Sequence, residues 1–460
     1  MQKFKVILAS SANNVIGKGN LLPWKIKEDI EYFKKLTTFS PDDRKNVVIM
    51  GRKTWEAQQP YFDKESLPKN KLPNRIPIVI SSTLKQPHDG SYYVVCSFDE
   101  AIMVAYNLEK YDIWVIGGKS VYIAAFNHFM CGTIYHTKIL QEYMGDVTLE
   151  LPPHKLLYLN KKEKLEFRQI ELNGETDYLR ILSKILYQGK LRMTRNAKTY
   201  SIFDNSITFD MKDGFPLLTT KRMFWKGIVE ELLFFIRGDT DSKHLEEKGV
   251  KIWQGNTTQE FIDNMNLPYQ EGDMGPMYGF MWRHFGAEYS GCDTDYTNKG
   301  FDQLVKIVEE IKTNPHSRRI LMSDFDPSRA HLGVLYPCHS LVLQFYVRDG
   351  KFLDVKMYQR SVDSFLGEPF NIASTSLLLH IISKLTDKKP GKVTLTLGDC
   401  HIYSSHIEQV KKQLKRLPYS FPKITLPDFK TIEEVENSSL EDYLIEDYQH
   451  HKGIKASMVA

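Results

Sequence analysis

The sequence predicts two domains in series: an α/β domain over 1–172, with a mixed, mostly parallel sheet flanked by helices, and an α+β domain over 177–460. Three observations lead there. The chain has 460 residues, and at roughly 150 residues per domain that length gives two or three cores. Its first third alternates β-rich apolar runs with helical periodicities, the rhythm of βαβ units. The alternation stops at Glu171-Leu-Asn-Gly-Glu-Thr-Asp177, where a turn signal meets a new amphipathic helix with almost no linker between.

The elements follow in order. Residues 6–9 read as a strand closed by a Ser/Asn/Gly loop, and Pro23-Trp24 opens a helix on which Ile26, Ile30, Phe33 and Leu36 share a face. Residues 46–50 form a buried-type strand that turns through Gly51 into Arg52-Lys53-Thr54-Trp55. Residues 60–75 are a polar, proline-bearing loop; 76–81, 92–95 and 113–116 are further strands, and helices begin at Phe98 and Lys119. In the second half, Thr176-Asp177 is the expected N-cap of a helix over 178–187. Helices over 226–237, 301–313 and 371–385 then mix with aromatic and β-branched strands over 341–347, 352–359 and 393–397.

Composition narrows the function. Lys and Arg number 61 against 57 Asp and Glu, a net charge of +4 that is too small for a dedicated nucleic-acid binder. No apolar run approaches the roughly 20 residues that span a bilayer, and the N-terminus lacks secretory architecture. Five cysteines without CxxC spacing argue against a disulfide framework and a structural zinc site. A reduced, cytoplasmic chain without a metal and with a thiol available for chemistry is expected.

Four features of the first half converge. Asp29 is a lone carboxylate on a helix facing Ile7, Leu22, Ile26 and Phe33; such a group is either a helix-start Asp stabilised by the dipole or a functional acid. Met50-Gly51-Arg52-Lys53-Thr54 leads a strand through glycine into a helix start with two cations, as phosphate binding requires. Val115-Ile116-Gly117-Gly118-Lys119-Ser120-Val121-Tyr122 repeats that plan; a P-loop is excluded because its first glycine would fall at Ile113. Leu72-Pro73-Asn74-Arg75 places an arginine where it can fork onto a carboxylate.

On these residues, 1–172 resembles dihydrofolate reductase along nearly its whole length. The resemblance implies reduction of dihydrofolate with NADPH. Asp29 would bind the pteridine and promote protonation at N5, with Thr137 hydrogen-bonded to it. Ile7, Leu22, Phe33, Leu72 and Ile116 would wall the folate pocket, and Arg75 would take the glutamate carboxylate. NADPH falls to Ala9, Gly51, Arg52, Lys53, Thr54, Ser81, Gly117, Gly118, Lys119 and Tyr122. Between Asp146 and Leu172 the chain is shorter than is usual in that family, which predicts a trimmed final hairpin.

In the second half the densest signal is Tyr336-Pro337-Cys338-His339. A lone cysteine is ordinarily a buried structural residue, but among cations it is a candidate thiolate nucleophile. Arg318-Arg319, Tyr358-Gln359-Arg360-Ser361-Val362-Asp363, Gly367-Glu368-Pro369-Phe370-Asn371 and Gly398-Asp399-Cys400-His401-Ile402-Tyr403 accompany it. Arginines with a serine suit a phosphate, and the amide of Asn371 has both the donor and the acceptor that reading a pyrimidine edge needs.

With Glu230-Glu231-Leu232-Leu233 and Gly275-Pro-Met-Tyr-Gly279, these motifs resemble thymidylate synthase over 177–460. By that resemblance Cys338 attacks C6 of dUMP, and Arg195, Arg318, Arg319, Arg360 and Ser361 hold its phosphate. The adjacent arginine pair would come from a partner subunit, which implies a homodimer. His401 and Tyr403 would hold the ribose, Asn371 select uracil, and Asp363 and Trp253 bind 5,10-methylenetetrahydrofolate. Glu231 would organise water for proton transfer and Tyr278 assist proton removal from C5. Arg195 is assigned from its spacing to Gly189, with Arg192 the alternative. The chain departs from the family at Ser323-Asp-Phe-Asp-Pro327, where Ser-Ala-Trp-Asn-Pro is commoner, and at Glu368, where an apolar residue is usual. A dCMP hydroxymethylase is the nearest rival, disfavoured because it would carry an acid at position 371. A non-catalytic or RNA-binding scaffold is disfavoured by Cys338, Glu231 and Asp29 together.

Overall fold

Several runs in the first half are apolar at every position rather than every second one, and that pattern needs a sheet covered on both faces. The computed structural model describes residues 2–42, 44–58, 72–194 and 197–459, and places such a sheet in a unit made of Met1–Tyr187 with Leu414–Leu417. Its elements are β1 (Phe4–Ser10), β2 (Val15–Gly17), α1 (Lys27–Thr38), β3 (Asn46–Gly51), α2 (Arg52–Ala57), β4 (Arg75–Ile80), β5 (Tyr93–Val95), α3 (Phe98–Asn107), β6 (Ile113–Gly117), α4 (Lys119–Phe126), β7 (Cys131–Ile139), β8 (Val147–Thr148), β9 (His154–Lys161), β10 (Leu165–Leu172) and α5 (Glu175–Gln188).

Eight strands lie in the order β5-β4-β3-β6-β1-β7-β10-β9, parallel from β5 through β7 and antiparallel for the last two. Period-two alternation divides the apolar side chains between two cores. Val47 and Ile49 of β3 pack with Val6, Ile78 and Val115 on one side. Val48 and Met50 pack with Ile7, Val79, Trp114 and Ile116 on the other. A one-residue slip of β3 would exchange the two sets, so the register is fixed by both cores at once. The second core continues into Phe33 of α1 and Leu72, and this is the face that carries the first site.

Two expectations are corrected here. The helix α5 starts at Glu175, not after Thr176-Asp177, because Gly174 (φ +67°) turns the chain and its carbonyl accepts the Asp177 N–H. Thr176 and Asp177 therefore sit in the first turn, where Asp177 pairs with Arg180 at 3.2 Å. The final hairpin is also complete, since β9 and β10 have 8 residues each and stay paired from Glu166↔Lys161 to Leu172↔His154. Of the expected loop 60–75, positions 60–71 lie outside the described residues.

The second unit comprises Gln188–Gln413 and Pro418–Ala460. It holds β11 (Lys190–Met193), β12 (Lys198–Asp210), α6 (Trp225–Ile236), α7 (Lys243–Glu247), α8 (Gln259–Asn264), α9 (Gly279–Arg283), α10 (Gln303–Thr313), β13 (Leu321–Met322), β14 (Val342–Arg348), β15 (Phe352–Asp363), α11 (Gly367–Leu385), β16 (Lys389–Tyr403), α12 (Ile407–Gln413), β17 (Lys423–Thr425), α13 (Ile432–Glu436) and β18 (Leu444–Glu446). Six strands form a sheet in the order β11-β12-β16-β15-β14-β13, in which only β15 and β16 are parallel. The apolar residues of α11 are spread around the helix and are buried along its length, as expected of a helix enclosed in a core. It packs on β15, β16 and α6. Strands β15 and β16 end together, and their ends carry the second site.

Candidate active sites

A cavity of about 1060 Å³ opens on the second core face of the first sheet. Asp29, in the first turn of α1, lies in its wall and is 6% exposed. Trp24 Nε1 donates to its Oδ2 at 3.2 Å, and the Thr137 side chain bonds to the same carboxyl. Burial outweighs both bonds and lifts the Asp29 pKa above the ordinary carboxylate value. Burial thus favours the neutral form of this carboxyl over its ordinary state. Arg75, at the start of β4, is 5% exposed and donates Nη1 to Thr37 Oγ1 at 2.9 Å, while burial brings its pKa down to about 10.

The turns β3–α2 and β6–α4 also line this cavity, and glycines ease the crowding between them. Gly117 has φ +116°, and a Cβ there would stand 3.1 Å from the Tyr122 ring; one on Gly118 would stand 3.2 Å from Thr54 Oγ1. Tyr122 locks this corner by donating its hydroxyl to the carbonyls of Ile7 and Ile116, each at 2.9 Å. Arg52, Lys53 and Lys119 line the mouth with exposed cations. The set fits an anionic dinucleotide: backbone that can be approached closely, with positive charge at the rim.

The expected folate residues Ile7, Leu22, Asp29, Phe33, Leu72, Arg75, Ile116 and Thr137 all line this cavity. So do the expected NADPH residues, apart from Ser81. Its hydroxyl accepts the N–H groups of Thr83 and Leu84 at 3.1 and 2.9 Å, capping the turn after β4.

In the second unit, Cys338 and Arg360 are tied together through the backbone. The Arg360 N–H donates to the Cys338 carbonyl at 3.0 Å. Its side chain donates Nε to the Pro337 carbonyl at 2.7 Å and Nη2 to that of Tyr336 at 2.9 Å, over whose ring it lies at 4.9 Å. The Cys338 sulfur stands 3.6 Å from the Tyr278 hydroxyl. Burial raises the thiol pKa, and the Tyr278 hydroxyl and the Arg360 charge pull it back. Burial holds His339, whose ring stacks on Tyr278 at 4.3 Å, down at about 4, so it is neutral near pH 7.

Glu231, on α6, accepts a bond from Trp253 Nε1 at 2.9 Å, and burial brings it up to about 7. A carboxyl at that value can give or take a proton near neutrality. Pairing of β15 with β16 sets Ser361 opposite Asp399 and Asp363 opposite His401, while Tyr403 ends β16 and Asn371 occupies the second turn of α11. His401 Nδ1 lies 3.2 Å from Asp399 Oδ1. Arg318 and Arg319 are exposed, and among the described residues neither has an acidic partner within 4.0 Å. Arg195 lies outside the described residues. Its alternative, Arg192, donates Nη1 to Asp399 Oδ2 at 2.7 Å.

Sequence reasoning gave no role to four residues near this site. Tyr336 carries the Arg360 guanidinium on its ring, and Asp399 anchors both His401 and Arg192. Asp324 and Glu368 are fully buried carboxyls of the second unit. The only sequence signal for these two was an acid where the family has an apolar residue.

A thymidylate synthase family model matches residues 176–460, and a dihydrofolate reductase model matches residues 3–170. The chain is 39% identical over 468 residues to the bifunctional dihydrofolate reductase-thymidylate synthase of Paramecium tetraurelia, covering 97% of this chain and 95% of that protein. It is 36% identical over 514 residues to bifunctional dihydrofolate reductase-thymidylate synthase 1 of Arabidopsis thaliana, covering 99% and 96%. With the Leishmania major protein of the same bifunctional description it is 34% identical over 505 residues, covering 100% and 95%.

Proposed function

The chain belongs to the dihydrofolate reductase and thymidylate synthase families, and from that premise we propose how its residues divide the two reactions. It is a bifunctional enzyme that methylates dUMP to dTMP with 5,10-methylenetetrahydrofolate and reduces the resulting dihydrofolate to tetrahydrofolate with NADPH. We assign the reductase to 1–172 and the synthase to 177–460.

The observation that carries the synthase reading is the binding of Cys338 and Arg360 into one backbone unit. It supports a reading in which a nucleophile and a phosphate-holding cation are kept in a fixed relation, as attack on C6 of a bound nucleotide requires. Cys338 Sγ bonds to C6, leaving an enolate that the chain must stabilise. Arg360 and Ser361 hold the phosphate, with Arg195 assigned there on the family pattern. His401, steadied by Asp399, and Tyr403 take the ribose, and Asn371 reads the uracil edge. Asp363 and Trp253 receive the folate. Glu231 moves protons through its water network, and Tyr278 assists loss of the C5 proton.

In the reductase, NADPH supplies a hydride when bound, and the glycine corner with Arg52, Lys53, Thr54, Lys119 and Tyr122 fits it. Asp29 holds a proton toward N5 of the pteridine, Thr137 and Trp24 orient its carboxyl, and Arg75 takes the glutamate tail. Ile7, Leu22, Phe33 and Ile116 exclude water from the reacting face.

A homodimer through the synthase sheet is supported by an exposed apolar face. Leu321, Val342, Tyr346 and Tyr358 stand together on it by the strand register, and Tyr346 is 64% exposed. Arg318 and Arg319, exposed and without an acidic partner among the described residues, fit donation of cations to the other copy. No described helix is long and apolar enough to cross a membrane, and five free cysteines favour a cytoplasmic setting. Incubation with 5-fluoro-dUMP and methylenetetrahydrofolate tests the assignment. A covalent adduct on the peptide carrying Cys338 is expected, and an adduct elsewhere or none would overturn it.

A further inference from the structure

Three segments of the second unit meet on one side chain that the reactions above do not use. His406 lies between β16 and α12 and is 1% exposed. Its ring packs on Phe365 at 5.6 Å and, edge to face, on Tyr403 at 5.7 Å. Nδ1 stands 4.0 Å from Asp363 Oδ2, and Nε2 stands 2.8 Å from the Ser457 carbonyl. A carbonyl only accepts, so Nε2 carries the hydrogen and donates it. Nδ1 is buried and has no hydrogen-bond partner among the described residues. The imidazole thus has a single polar tether, and a buried polar ring so poorly compensated calls for a reason.

The tether matters from the other side as well. Among the described residues it is the one hydrogen bond made by 453–459, while just before that segment the His451 N–H donates to the Thr219 carbonyl at 2.7 Å. The ring also backs the turn that shapes the Asp363 carboxylate. Asp363 Oδ1 accepts the N–H groups of Phe365 and Leu366 at 2.9 and 3.1 Å, and Phe365 is fully buried. Tyr403 touches the same ring, but its place is fixed independently by pairing with Thr199. We propose that His406 is a positioning residue of the synthase site: it fastens 453–459 to the turn that presents Asp363, and the folate pocket keeps its shape while that bond holds. The inference rests on the reading of Asp363 as a folate contact.

Steady-state kinetics of dTMP formation by the full-length protein test this. His406→Gln carries an amide donor to about the reach of Nε2, whereas His406→Asn stops at the reach of Nδ1 and does not meet Ser457. The Asn variant is expected to raise the KM for methylenetetrahydrofolate about ten-fold, the loss of one hydrogen bond, with far smaller changes in the KM for dUMP and in kcat. Gln should restore most of that loss. Trypsin should cut after the exposed Lys455 faster in the Asn variant than in the wild type or the Gln variant. A variant ending at Ala456 keeps the imidazole and lacks the carbonyl, so it serves where the His406 variants do not fold. It should show the same folate shift, and His406→Asn should add nothing on top of it. An unchanged folate KM, equal shifts for the two substrates, or Asn and Gln behaving alike would overturn the proposal. Asp363→Asn separates the two readings. If it leaves the folate KM unchanged, the assignment of Asp363 falls; if it raises that KM while His406→Asn does not, only the role of His406 falls.

Discussion

The Tyr278 hydroxyl stands 3.6 Å from the Cys338 sulfur while its ring stacks on His339 at 4.3 Å, so one side chain touches both members of that Cys-His pair. The backbone at Tyr278 is in the left-handed region (φ +43°), a conformation few non-glycine residues adopt, and one that presents the ring to both neighbours. Tyr278→Phe keeps the ring and removes only the hydroxyl. The rate of dTMP formation is expected to fall by roughly 10²–10³-fold. The 5-fluoro-dUMP adduct should still form, because it requires no proton loss from C5. Steady-state kinetics with adduct mass spectrometry check this, and an unchanged rate would remove Tyr278 from the chemistry.

The cations at the mouth of the reductase cavity should discriminate between coenzymes. Arg52 and Lys53 are exposed beside the glycine corner, with Arg52 Nη1 on Glu56 Oε1 at 2.8 Å. Arg52→Gln and Lys53→Gln are each expected to raise the KM for NADPH by about ten-fold, the loss of one charge-assisted hydrogen bond. The KM for NADH, which lacks the ribose phosphate, should change less. Equal effects on the two coenzymes would place these side chains away from that phosphate.

Glu368 should make the synthase domain less stable as pH rises. Burial pushes its carboxyl from an ordinary 4.5 to about 8; the nearby Ser364 and Lys221 lower it, and Asp363 raises it. The folded state therefore holds this proton more tightly than the unfolded chain does. The resulting stability is fully present below about 4.5 and is lost progressively as pH rises through about 8. Glu368→Gln removes the titration. Its stability relative to the wild type should climb between pH 5 and 8.5, by an amount on the order of a few kcal/mol at most, and its Tm should rise with it. A pH-independent difference would mean that Glu368 does not titrate in this range.

How much of this was legible in the sequence depends on whether the information is local. Cys338, Arg360 and Asn371 stand in dense motifs, and the register of β15 with β16 then brings Ser361, Asp363 and His401 together. Strand β3 announced its two-sided burial through an unbroken apolar run. At Ser81 a serine after a strand serves a turn as readily as a phosphate, and its hydroxyl accepts the N–H groups of Thr83 and Leu84. The start of α5 was misplaced because Gly174, one residue inside the turn signal, ends the turn earlier than the Thr176-Asp177 cap implied. Asp324 and Glu368 were visible only as departures from a family pattern. Their burial is created by elements distant in sequence, which no local pattern encodes.

The exposed apolar face of the second sheet should be covered in solution by a second copy of the chain. Tyr346→Glu places a charge on that face without touching a side chain assigned to either site. Sedimentation is expected to show a shift from dimer toward monomer, with synthase activity falling at least ten-fold if the partner's arginines complete the phosphate site. Dihydrofolate reduction should be unchanged. A stable dimer with full synthase activity would move the interface elsewhere.

This one chain is expected to make dTMP and also to recycle the folate it oxidises. The most direct test is a single reaction of purified protein with dUMP, methylenetetrahydrofolate and NADPH, following dTMP, dihydrofolate and tetrahydrofolate over time. Tetrahydrofolate should rise with dTMP in the wild type. With Asp29→Asn, dTMP should still form while dihydrofolate accumulates. Wild-type protein that makes dTMP yet leaves all its dihydrofolate unreduced, or that makes no dTMP at all, would contradict the account.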